Sequence, residues 1–93
     1  MSTSNPHERL RELLQEMETL LPELDVDPST RALAEDAKQD LARIVERDDP
    51  SLGNEDEGVL EKLEDAELAF EAAHPTFSGV MRRLIDVLGQ MGI

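Results

Sequence analysis

From Val59 to Met91 one apolar register runs without a slip: Val59, Leu63, Ala66, Phe70, Ala73, Phe77, Val80, Leu84, Val87 and Met91. The spacing alternates four and three throughout, as in an amphipathic helix or coiled coil with one buried seam. Yet the seam crosses a His74–Pro75 step. Proline lacks the N–H that a helix interior needs, and its ring clashes with the carbonyl four residues back, that of Glu71. Independently packed helices have no obligation to share a phase, and a helical hairpin uses roughly two to five linking residues. The seam therefore favours one long helix over 57–91, bent at His74–Pro75. The alternative is a corner at 74–75 with Pro75 opening a fourth helix, since the residue before proline is pushed away from helical angles.

Upstream, two shorter helices are expected. Asn5, Pro6 and Glu8 supply an N-cap, a proline at the first helical position and the far member of a capping box. The helix over 6–21 has its apolar residues at Leu10, Leu13, Leu14, Met17, Leu20, Leu21 and, continuing the spacing, Leu24, and Pro22 ends it or kinks its last turn. Asp27 and Pro28 open the next helix, over 28–47, with Leu33, Ala37, Leu41, Ile44 and Val45 toward the core. Glu35–Lys38 and Asp40–Arg43 are i,i+3 pairs on its outer side. An acidic loop follows over 48–56, and Asn54 with Glu57 reads as a second capping box.

The pattern defines an all-α fold in a single domain, 1–93: two short antiparallel helices plus a long C-terminal helix kinked or broken at Pro75. A chain of 93 residues buries only about 60–65% of its unfolded surface on folding, which makes assembly into an oligomer the natural expectation. Without cysteine there is no disulfide or thiolate metal site. The net charge of −13 disfavours nucleic acid and anionic lipid as partners, because neither counterion release nor lipid attraction is available to an acidic surface. No apolar run is long enough for a signal peptide or a membrane span, which reads as a cytoplasmic protein.

Beyond the proline the seam widens. Met81, Ile85 and Leu88 add a second apolar strip beside Phe77, Val80, Leu84 and Met91, against only Arg82, Arg83 and Asp86 as charges. A helix apolar over so much of its circumference must be covered on more than one side. The expected self-association surface is therefore Phe70, Phe77, Val80, Met81, Leu84, Ile85, Leu88 and Met91, with the protein itself as partner in a dimer or higher oligomer.

The stretch FEAAHPTFSGVMRRLIDVLGQMGI also resembles the C-terminal signature of the domain of unknown function 4404 family of short bacterial proteins. The resemblance lies in Phe70–Glu71, His74–Pro75–Thr76, the apolar helix around Val80, Leu84 and Leu88, and the ending Met91–Gly92–Ile93. It implies a small all-helical protein with no established activity, substrate or cofactor.

Three places in the chain bear on sharper chemistry. Glu71 and His74 stand at the i,i+3 spacing that directs a carboxylate and an imidazole at one metal in di-iron bundles. They are weak metal candidates, because on a helical wheel they lie about 100° and 40° from Phe70 and flank the buried stripe. Asp25-x-Asp27-x-Ser29 resembles the start of a calcium loop, but Thr30 stands where glycine is required and Asp36 where a bidentate glutamate belongs, so it reads as a turn with a cap. His7 is expected to be exposed and inert. No catalytic motif and no cofactor is expected. Three function classes remain: a non-catalytic, self-associating interaction module with a further protein partner, an acidic mimic of nucleic acid held for a basic partner, and a carboxylate/His metal protein at a dimer seam.

Overall fold

A computed structural model describes residues 5–46 and 57–91. Among these, four helices form: α1 (Pro6–Leu20), α2 (Pro28–Glu46), α3 (Glu57–Glu71) and α4 (Pro75–Gln90), with a 3-10 turn at Leu21–Glu23. The acidic loop over 48–56 and the Asn54 cap lie outside the described residues, as does the Gly92–Ile93 ending.

α1 and α2 each begin where the sequence supplies a partner for free N–H groups. Asn5 Oδ1 accepts from the Glu8 N–H at 2.8 Å, with Pro6 at the first helical position. Asp27 Oδ1 accepts from the Thr30 N–H at 2.8 Å ahead of Pro28. At the other end of α1, Pro22 tightens the chain into the 3-10 turn, after which Leu24 is extended, with φ −83° and ψ 137°. Arg31 caps the carbonyls there: its guanidinium donates to Leu21 O at 3.1 Å, which also accepts from the Leu24 N–H at 3.2 Å, and to Leu24 O at 2.6 Å. A cation from the first turn of α2 thus closes the C-terminal end of α1, where the helix dipole also favours it.

The long C-terminal helix does not form. α3 ends at Glu71, Ala72 and Ala73 make a turn, and Pro75 is the first residue of α4. His74 leaves helical space, with φ −137° and ψ 71°, as expected of a residue ahead of proline. The bent-helix expectation fails for two reasons. Ala72, Ala73 and His74 supply a three-residue link whose helix-forming alanines disguise it as continuing helix. Further, a common phase does not require a common axis: when α4 folds back along α3, Phe70 and Phe77 meet across the hairpin with ring centroids 4.5 Å apart. Ala73, alone in the seam, is exposed, which marks where the continuous register stops.

α4 packs against both α3 and α1, and α2 packs against α1 and α3, so the four helices close a ring around one core. Leu10, Met17, Leu21, Leu41, Ile44, Leu63, Phe70, Phe77, Met81, Leu84 and Leu88 are its large, fully enclosed side chains. Ala34, absent from the expected stripe of α2, is buried too, whereas Leu33 is only half-buried. The radius of gyration is 12.6 Å, against about 12 Å for a compact chain of this length.

Candidate interaction surface

The apolar breadth of α4 finds its cover inside one chain. Phe77, Val80, Met81, Leu84 and Leu88 are all buried on α4, which packs on α1 and α3; Phe70 is buried on α3 against Phe77, and Ile85 and Met91 are left half-buried. The six buried residues cannot be the contact surface of a folded chain without the bundle opening, which corrects the expected surface at those positions. An outside partner is needed only if two short helices must cover a long one. Breaking the long helix places α3 itself among the cover.

His74 and Glu71 do not share a helical turn, since Glu71 ends α3 and His74 precedes α4. The i,i+3 geometry that would aim both at one metal is therefore missing. His74 instead reaches the α1–α2 connection, with Nε2 3.3 Å from Asp25 O, a contact that requires the ring proton on Nε2. Its backbone serves both helices: its N–H donates to Phe70 O at 2.7 Å and its carbonyl accepts from the Ser78 N–H at 3.0 Å. The buried Ser78 hydroxyl donates to Glu67 O at 3.2 Å. The corner is thus stitched by His74 and Ser78, and among the described residues no group of three metal-ligating side chains gathers. His7 departs from expectation: it is half-buried, with Nε2 enclosed and without a hydrogen-bond partner among the described residues.

The surface of the hairpin is where charge and apolar area coincide. At 100° per residue, Glu61, Glu64, Asp65, Leu68 and Glu71 fall within about 70° of the direction opposite the core on α3. All five are exposed, and Leu68, at 70%, is the exposed large hydrophobic side chain of the described residues. α3 carries six acidic residues against Lys62, a net −5 of the chain's −13. Lys62 is occupied elsewhere, 2.7 Å from Asp40, which also pairs with Arg43. The outer face of α4 is different. Gly79, Arg82 and Asp86 fall within about 40° of its outward direction and Arg83 about 65° from it, and the helix is net +1. Arg82, 75% exposed, lies 4.0 Å from Glu67, a distance at the edge of ion pairing. A Cβ at Gly79 would meet nothing within 4 Å.

Elsewhere, an open groove of about 400 Å³ is lined by Glu12, Gln15, Glu16, Thr19, Leu20 and Thr76. With Leu20 as its sole large apolar side chain it lacks the enclosed apolar lining of a small-molecule site. No described helix is long and apolar enough to cross a membrane.

Neither a curated protein nor a solved structure matches the chain. A family model does match, over residues 7–93, and so takes in all four helices as well as the His74–Pro75 corner. With nearly the whole bundle covered, the chain belongs to the family described as Domain of unknown function (DUF4404).

Proposed function

We propose that this protein is a non-catalytic helical interaction module that self-associates and presents an acidic face to a further protein partner, in a cytoplasmic setting. The observation that carries the reading is the outer face of α3, where Leu68 stands 70% exposed amid Glu61, Glu64, Asp65 and Glu71. An exposed leucine alone calls for no explanation. Here it is centred on the face opposite the core, and the helix keeps no other large apolar side chain on that face. A small contact of this composition suits a reversible encounter.

The reading as a nucleic-acid mimic draws on the same net charge and is supported less by its distribution. Five of the thirteen net negative charges lie on α3, while α4 is net positive. A mimic of a phosphate backbone calls for charge spread along a whole face. Nucleic acid and membrane are not assigned as partners.

Sedimentation equilibrium over a wide concentration range tests the proposal. The expected result is an average mass that rises with concentration toward that of a dimer. A monomer at every concentration would refute self-association.

A further inference from the structure

We infer that two copies associate through the outer face of the α3–α4 hairpin, about a two-fold axis parallel to its helices, so that α3 of each copy lies on α4 of the other. This rests on the self-association proposed above and names its surface. The argument begins with register. Phe70 packs on Phe77 at 4.5 Å, and Glu67 receives the Ser78 hydroxyl at 3.2 Å, which puts residues at the same height when their numbers sum to about 147. Leu68 is therefore level with Gly79, and Glu64 and Asp65 are level with Arg82 and Arg83.

An axis parallel to the helices keeps every residue at its own height. It brings Leu68 of one copy to the flank of α4 in the second at Gly79, where the missing side chain leaves room. The same rotation carries Arg82 and Arg83 to Glu64 and Asp65 of the second copy, twice over by symmetry. An isologous contact requires a patch complementary to itself. The hairpin meets that requirement because opposite charges reside on its two helices at matching heights. The competing two-fold, perpendicular to the helices and in the plane of the face, stacks α3 on α3 and sets two net −5 helices together.

Gly79 adds a second observation. Inside a helix, glycine is disfavoured relative to alanine, and nothing in the chain's own packing requires it here, as a Cβ would have free space. A neighbouring leucine from a second copy gives the position a reason.

Charge reversal tests the arrangement. R82E/R83E and, separately, E64R/D65R should each weaken dimerisation by about 10- to 100-fold, and combining all four should restore it. Far-ultraviolet circular dichroism checks that each variant keeps its helix content; if one does not, R82Q/R83Q replaces the reversal and should weaken dimerisation to a smaller degree. A wild-type dimer that neither reversal weakens, or that the fourfold variant fails to restore, overturns this surface and leaves self-association standing. A wild-type monomer throughout overturns both.

Discussion

Asp27 does its work with a single oxygen. The Thr30 hydroxyl and N–H, together with the Ser29 hydroxyl, favour its charged form and hold the carboxyl below its ordinary 3.8. A folded-state pKa that is depressed contributes stability above the unfolded value and loses it as pH falls through 3.8 and beyond. Asp27→Asn retains an oxygen that can cap α2 but removes the charge. We expect the wild type to exceed this variant in stability at neutral pH, with the difference shrinking on the acid side of 3.8. Urea melts of both proteins across that range would reveal it, and a constant difference would contradict it. His74 shows the complementary case of a residue known by its neighbours. The sequence marks it as a step before proline; its reach to Asp25 O depends on how two distant connections meet.

At the scale of the helix, α4 carries a testable weakness. Gly79 sits within the helix with free space at its absent Cβ, so Gly79→Ala should raise stability by about 0.5–1 kcal/mol. Thermal melts at a concentration low enough to keep the protein monomeric would detect it; a loss of stability would mean that the helix is tighter there than described. Much of the element layout was legible beforehand. Asn5–Pro6 and Asp27–Pro28 stand at the starts of α1 and α2, each with its proline as the first helical residue. The corner was not legible, since Ala72 and Ala73 are good helix formers and the apolar phase is the same for a bent helix as for two helices facing one core. Arg31 and Ser78 were also overlooked, because their hydrogen bonds to the ends of α1 and α3 follow from tertiary approach. Leu68, 70% exposed, was legible too: it lies about 170° from the direction of the core-facing seam of α3.

For the whole molecule, the core has little redundancy. Phe70 is fully enclosed and touches both the second phenylalanine and the corner, its ring 4.5 Å from Phe77 and 6.0 Å from His74. Phe70→Ala should cost about 3–5 kcal/mol, a large part of the roughly 5–15 kcal/mol that holds a small domain. A fall of more than about 10 °C in the melting midpoint is expected by calorimetry, and a smaller change would mean that the bundle collapses onto the space. The candidate surface lies at this scale as well, because the match between Glu64–Asp65 and Arg82–Arg83 exists only after α4 has folded back on α3. That returns the burden to one ring. The seam from Val59 to Met91 is compatible with an open-ended rod of coiled helices, in which many chains share their apolar faces. A proline inside such a rod costs about 3 kcal/mol per chain, and at the first position of a helix it costs almost nothing. Pro75 therefore acts as a choice between architectures, turning a sequence periodic enough for a fibre into a particle that closes on itself.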